Sequence, residues 1–416
     1  MIQLRCRWRS LALILAMGLA TAGETAAQTP QRIVLLIADG VGVGYWTALA
    51  FAADDLAVNQ FKVMGLVDTR ASSSKITDSA AAATAFASGI RTYNGAIGVG
   101  PDSVEVETVL EAAQERGMAT GLVATCRITH ATPAAFAAHV PSRAMEAVIA
   151  EQILEHEVDV VLGGGRAYFD GAIRRDQRDL LTPIWMKYTY IETATQLRGL
   201  DTGNVHKLFG LFALHDLPAA AQRQPTLPEM TRTALEVLDR DPDGFFLMVE
   251  GSQPDWRGHE NAPLEAVVAE MRDFDLAIGE ALEYQRHHPE TLVLVLADHE
   301  TGGLAIHLQR DSVALVQAAA ELGEVEELLR NRGATIDTST SELADSTRHL
   351  IVRLARQLRR SARSRADSLS LVGRYTSGGH TAEMTPLFAK GPGAERFGGI
   401  IDNYSVGQLL LEMVRQ

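Results

Sequence analysis

A serine preceded by an aspartate opens an alanine-rich run, Thr77-Asp78-Ser79-Ala80-Ala81, which continues to Ser88 and Gly89. That is the pattern of a nucleophilic hydroxyl at the head of a helix, although hydroxyl and small residues are ordinary at helix starts. The rest of the chain gives it chemical meaning. Asp39, the block Glu250-Gly251-Ser252-Gln253-Pro254-Asp255-Trp256-Arg257-Gly258-His259, the pair Asp298-His299, and His380 are acids and imidazoles suited to hold metal ions around such a serine. A free serine hydroxyl is a poor nucleophile, and coordination to a cation lowers its pKa so that the alkoxide exists at working pH. Together these residues describe a metal-assisted phosphoryl-transfer site gathered from the whole chain.

The spacings agree with that chemistry. Asp255 and His259 stand four apart, so on a helix they share one face and can clasp one ion. Pro254 suits the start of that helix. Asp298 and His299 are adjacent, and inside a strand they would point to opposite faces. Both reach one site only at a strand end. His380 lies in Ser377-Gly378-Gly379-His380-Thr381, read as a flexible loop that carries a distant imidazole into the cluster. Nitrogen and oxygen donors without thiolate suit Zn²⁺ in open geometry.

Elements that position these groups follow from the apolar runs. Arg32–Ala38 is β-rich and ends at Asp39; Phe245–Val249 ends at Glu250; Thr291–Ala297 ends at Asp298. Each reads as a buried parallel strand delivering a carboxylate at its C-terminal edge, where ligands gather in open α/β sheets. Residues 121–125 and 158–163 read as further strands. Helical patterns span 104–116, 144–155, 227–238 and 264–287. The alternation predicts an α/β fold, a doubly wound and mostly parallel sheet with helices on both faces. Residues 171–226, with several Pro and aromatic residues and no clean period, read as a surface excursion. Residues 305–370 read as a variable helical insert forming a small cap, its Arg348, Arg353, Arg356, Arg359, Arg360, Arg363 and Arg365 lying on a solvated face.

The chain has 416 residues, 46% of them hydrophobic, and a formal charge of −14. Arg5, Arg7 and Arg9 followed by the apolar run Leu11–Ala20 and small residues near Thr25-Ala26-Ala27 read as a signal peptide over residues 1–27. The run is too short to span a membrane comfortably, so no stable anchor is expected. Residues 28–416 then form a single catalytic domain, exported to the periplasm or the medium. Removing three Arg and one Glu moves the charge from −14 to −16. So acidic a surface does not suit nucleic acid, which needs basic residues to replace counterions. With Cys6 in the leader, Cys126 stands alone, which leaves no intramolecular disulfide and reads as a buried small residue.

Asp39-Gly40, Thr77-Asp78-Ser79-Ala80, Thr92-Tyr93-Asn94-Gly95, His130-Ala131-Thr132-Pro133-Ala134, Glu250-Gly251 with Asp255 and His259, Ala297-Asp298-His299 and Gly379-His380-Thr381 resemble the alkaline phosphatases. Leu162-Gly163-Gly164-Gly165-Arg166 and the segment Gln224–Thr231 are similar to family segments, in the same order along the chain. The resemblance implies one zinc held by Asp255, His259 and His380 and a second held by Asp39, Asp298 and His299, with Ser79 on it. It implies a magnesium held by Asp39, Thr132 and Glu250, and Arg143 as the fork that grips phosphate, for which a planar bidentate group is suited. A phosphoserine intermediate, small phosphate monoesters as substrates of broad range, and a possible homodimer follow from the same resemblance. Around the magnesium, His130 and Trp256 stand where one branch of the family has Asp and Lys. With a neutral imidazole for a carboxylate, the third site is expected to bind magnesium less tightly and to accept other divalent ions.

Rival readings make different demands. A sulfatase of the same fold needs Cys or Ser ahead of Pro and Arg, which Ser79-Ala80-Ala81 lacks. A phosphodiesterase of this fold usually places Thr at the nucleophile and lacks the Arg143 clamp. A binding protein that only scavenges phosphate or metal has no use for an intact nucleophile.

Overall fold

The apolar run that ends at Asp39 forms a strand whose residues after Arg32 are all buried, as a run of Ile, Val and Leu without polar alternation must be when both sheet faces are covered. The computed structural model describes residues 29–310 and 369–416. Along it run β1 (Arg32–Ala38), β2 (Val63–Asp68), β3 (Ala119–Arg127), β4 (Val160–Gly164), β5 (Thr189–Ile191), β6 (Leu208–Leu211) and β7 (Phe245–Gly251). They are followed by β8 (Thr291–Leu296), β9 (Glu300–Thr301), β10 (Ala305–Arg310), β11 (Leu369–Arg374), β12 (His380–Thr381), β13 (Thr385–Lys390) and β14 (Gly399–Asp402).

One ten-stranded sheet takes the order β14-β2-β13-β8-β1-β7-β3-β4-β6-β5. Its pairings are parallel except those of β13, which runs antiparallel to β2 and β8. The mostly parallel sheet interleaved with helices is the architecture expected from the sequence. Its central register does the positioning. Ile37 of β1 lies opposite Glu250 of β7 on one side and Leu296 of β8 on the other. Glu250, Asp39 just beyond β1 and Asp298 just beyond β8 therefore emerge side by side at one sheet edge.

Helices Leu227–Leu238 and Leu264–His287 occupy the predicted spans. The helix expected from residue 104 begins only at Val109, because Thr108 caps it and Glu111 returns to the Thr108 amide in a capping box. The helix expected from residue 144 begins at Glu146. The helix Ser79–Ser88 has all ten residues buried, which accounts for its alanines: nothing larger fits along most of its length.

Two expectations need correction. Residues 171–226 are more than a surface excursion, since β5 and β6 lie within them and complete one end of the sheet. These strands are three and four residues long, too short to show a period, yet β6 is buried throughout. The insert expected to be helical over 305–370 has strands at both ends, β10 and β11, paired antiparallel from Ala305↔Arg374 to Arg310↔Leu369. Its interior, with the Arg-rich segment 348–365, lies outside the described residues, as does the signal peptide expected over residues 1–27. By its contacts, Leu304–Thr376 separates as a compact unit from a larger one that holds the rest of the described chain. Among the described residues no helix is long and apolar enough to cross a membrane.

Candidate active site

Ser79 is the first residue of its helix, and Asp78 caps it: Asp78 Oδ1 accepts from the amides of Ala81 and Gly95, each at 3.0 Å. The serine is buried and its Oγ lies 3.2 Å from His299 Nε2. At a helix N-terminus an oxyanion gains from the dipole and from free amides.

Around that serine the expected ligand groups assemble. Asp39 Oδ1 and Asp298 Oδ2 stand 3.5 and 3.3 Å from His299 Nε2. The helix Gln253–His259 presents Asp255 and His259 on one face, with His259 Nε2 3.4 Å from Asp255 Oδ1. His380 Nε2 completes this group at 3.2 Å from His259 Nε2 and 3.7 Å from Asp255 Oδ1. The two groups adjoin, since the rings of His299 and His380 stack with centroids 3.6 Å apart. Gly40 makes the meeting possible: its φ is +75°, and a Cβ there would sit 2.6 Å from Asp255 Cα.

All three imidazoles turn Nε2 inward for the same reason. His259 Nδ1 lies 2.8 Å from the Gly378 carbonyl, His380 Nδ1 2.9 Å from the Thr77 carbonyl, and His299 Nδ1 3.2 Å from Thr301 Oγ1. With Nδ1–H donating outward, each ring keeps a lone pair for a cation, the arrangement that orients metal-binding histidines. Thr301 was not singled out from sequence. Its hydroxyl also donates to Asp255 Oδ1 at 2.5 Å, tying the two groups together. His380 is not on a free loop as expected: β12 pairs with β9, placing His380 opposite Thr301, and Gly302 donates to the Gly379 carbonyl at 2.9 Å.

The third group is also present. Glu250 is buried, Coulombic repulsion couples it to Asp39, and Thr132, in the first turn of helix Ala131–Ala137, is close enough to act on its carboxyl. Thr132 Oγ1, Glu250 Oε1, Asp298 Oδ2 and both Asp39 oxygens are buried without a hydrogen-bond partner in the protein. Orphaned oxygens of this kind are costly unless a cation meets them. His130 and Trp256 stand edge to face, centroids 6.5 Å apart, beside this group. Cys126 is buried and free, as expected, with Sγ 3.3 Å from Glu250 Oε2.

Electrostatics point the same way. Burial first, then the neighbouring acids, drives the Asp39 carboxyl well above its ordinary range. Burial raises Asp298 and lifts Glu250 to about 7, while burial and His380 lower His299 to about 3. Carboxylates so crowded and dry ionise together only beside compensating positive charge. Convergent oxygen and nitrogen donors, with several of the oxygens unpaired, fit hard and borderline divalent cations. At the rim, Arg143 is a third exposed and held between Asp78 Oδ2 at 3.1 Å and His130 Nε2 at 3.0 Å. Asp78 as the anchor of this guanidinium is a second residue whose part was not read from sequence.

A profile of the alkaline phosphatase family matches residues 31–415. The chain belongs to the alkaline phosphatase family. It is 36% identical to alkaline phosphatase 3 of Bacillus subtilis, over 91% of this chain and 87% of that one. The Escherichia coli alkaline phosphatase is 32% identical, over 72% of this chain and 77% of that one. Among solved structures, the alkaline phosphatase of the Antarctic bacterium TAB5 superposes with a TM-score of 0.74 at 32% identity, covering 94% of this chain and 99% of its own. Family and fold together make the protein a metal-binding phosphatase acting on phosphate monoesters.

Proposed function

We propose that this phosphatase is an exported enzyme of broad substrate range that hydrolyses phosphate monoesters through a phosphoserine at Ser79. The observation that carries the reading is the gathering of two imidazole–carboxylate groups around Ser79 Oγ, with the Arg143 guanidinium held beside the serine by Asp78. In this reading Asp255, His259 and His380 hold one zinc and Asp39, Asp298 and His299 a second. Asp39, Thr132 and Glu250 hold a magnesium. Bound there, the cations supply positive charge that acidifies the serine hydroxyl and offsets charge on the attacking and leaving oxygens.

The chain supplies the rest. Ser79 Oγ bonds to phosphorus as the bond to the leaving alcohol breaks, and water later cleaves the serine ester to release phosphate. The helix N-terminus favours the serine oxyanion. Arg143 grips two phosphoryl oxygens with a fork that Asp78 and His130 hold in place. Because these contacts fall on the phosphoryl group, the alcohol is left unread, which supports broad range. Export rests on the leader read in residues 1–27.

The test compares chromogenic mono- and diesters. Monoester turnover is expected to dominate, since of the two only a monoester, with three non-bridging oxygens, can give the fork two and still keep one near Ser79. Arg143→Ala is expected to cut monoester kcat/KM by roughly 10²-fold with metal content unchanged. A collapse of metal content, or preferred diester turnover in the wild type, would overturn the reading.

His130 tunes the third site in this account. Burial and the guanidiniums of Arg143 and Arg127 push its imidazole well below the usual range, so it is neutral. A histidine-to-aspartate variant of the TAB5 enzyme has been solved with magnesium in its M3 site. Here His130→Asp is expected to tighten Mg²⁺ by roughly 10-fold, because a carboxylate anchors Mg²⁺ and its waters better than imidazole. A Mg²⁺ titration of activity reads this, and an unchanged or weakened half-saturation counts against it.

A further inference from the structure

We infer that Glu111, His139 and His156 form a further metal site, for Zn²⁺ or a similar borderline divalent cation, built from residues outside the active site. One ligand atom from each lies within 4.8 Å of the other two. His139 Nε2 is 2.9 Å and His156 Nε2 3.7 Å from Glu111 Oε1, with ring centroids 5.8 Å apart. Two imidazoles and one carboxylate are a recurrent zinc donor set with positions left for water.

Hydrogen bonds from the surrounding chain orient these donors. His139 Nδ1 lies 2.7 Å from the Gly98 carbonyl, so Nδ1–H donates there and Nε2 turns its lone pair toward the carboxylate. Gly98 permits this approach: its φ is +57°, and a Cβ would lie 2.8 Å from His139 Nδ1. Glu111 spends Oε2 on the Thr108 amide at 2.7 Å, which fixes Oε1 toward the two rings. Gln152 spans the group, accepting from the His139 amide at 2.8 Å through its side chain and from the His156 amide at 2.9 Å through its carbonyl. Gln114 donates to the His156 carbonyl at 2.7 Å.

An imidazole lone pair facing a carboxylate oxygen at 2.9 Å is a meeting of two acceptors. Something positive must stand between them: a proton, which makes an ion pair, or a metal ion. The surroundings favour cations of either kind. Burial opposes charge on both rings and keeps His156 below its ordinary range, while Glu111, the Gly98 carbonyl and Glu105 lift His139 above it. Glu111 is nonetheless held below its ordinary range, with His139 the largest favourable influence. What distinguishes the metal is the second imidazole. A proton needs only His139 and Glu111, while His156 turns Nε2 to the same oxygen from a different helix end. On binding, the cation replaces the proton on His139, which leaves to solvent. The ion would clamp the helix Val109–Glu115, the C-terminal cap of Glu146–Glu155, and the segment from His139 that runs to Arg143.

The test uses the full enzyme with its catalytic sites already loaded with Zn²⁺ and Mg²⁺. Zinc content is counted at a series of buffered free Zn²⁺ concentrations for the wild type, His156→Gln and Glu111→Gln. Gln at 111 keeps an oxygen for the Thr108 amide, so the helix cap survives. The wild type is expected to take up a further zinc that each variant binds at least 100-fold more weakly, a loss no smaller than the ~10–100-fold cost of removing an outer partner of a metal ligand. Monoester hydrolysis should stay the same in all three. Adding Co²⁺ to the zinc-loaded proteins should give a visible absorption band in the wild type alone. Equal zinc uptake by all three with no such band would overturn the assignment and leave a protonated His139–Glu111 pair.

Discussion

Exhaustive chelation is expected to abolish phosphate-ester hydrolysis, and Zn²⁺ together with Mg²⁺ to restore it. The same treatment should destabilise the fold, by about 3 kcal/mol for each ion formerly present at a hundred times its Kd. In the proposed reading the ions would tie strand ends of β1, β7 and β8, a helix and the β9–β12 pair, so their loss should be felt across the larger unit. The destabilisation has a predictable pH dependence. Without metal, burial holds Glu250 at about 7 and raises Asp39 and Asp298. A raised carboxylate pKa means that the folded state keeps protons the unfolded chain has already released. Its stabilising effect is complete below the unfolded value of about 4 and is lost as pH climbs through the folded value. The melting temperature of the metal-free protein should therefore fall between about pH 4 and about pH 7. The metal-loaded protein should not follow it, because cations then stand where the protons were. Thermal melts of both forms across that range read the difference. Full activity in a verified metal-free sample would sink the metal-dependent reading.

Ser79→Ala is expected to lower turnover by roughly 10³-fold or more, the scale seen when a covalent nucleophile is removed. Fold and metal content should be retained. Alanine is at home beside the four alanines that follow, the helix keeps its Asp78 cap, and the candidate ligands lie elsewhere. A variant that turns over like the wild type would remove Ser79 from the mechanism. Loss of metal in the variant would instead make the serine part of the metal-binding framework.

Much of this arrangement was legible in the chain because burial writes itself into composition. Three apolar runs ending in Asp39, Glu250 and Asp298 are central parallel strands, and parallel register brings their ends to one edge. The four-residue spacing of Asp255 and His259 needs only a helix, which Pro254 helps to start. Other features depend on partners far away in sequence. β5 and β6 are too short to display a period; β6 is a strand because β4 offers an edge to pair with, and β5 because β6 then does. His380 is fixed by pairing with Thr301, which no local pattern around Ser377–Thr381 announces. Thr301 and Asp78 act through side-chain hydrogen bonds, at 2.5 Å to Asp255 and 3.1 Å to Arg143, and such pairings carry no spacing rule. The start of helix Val109–Glu115 is a different case, since Thr108 followed three residues later by Glu111 is the capping-box spacing and marks the boundary in the sequence itself.

The central claim, a covalent phosphoryl-enzyme at Ser79, is open to one direct measurement. The metal-loaded wild type is mixed with a labelled phosphate monoester, quenched in acid before steady state, digested, and its peptides sequenced by mass. Phosphate on the peptide containing Ser79, and absent from the same peptide of Ser79→Ala, is the result this account predicts. Phosphate on any other residue would contradict it.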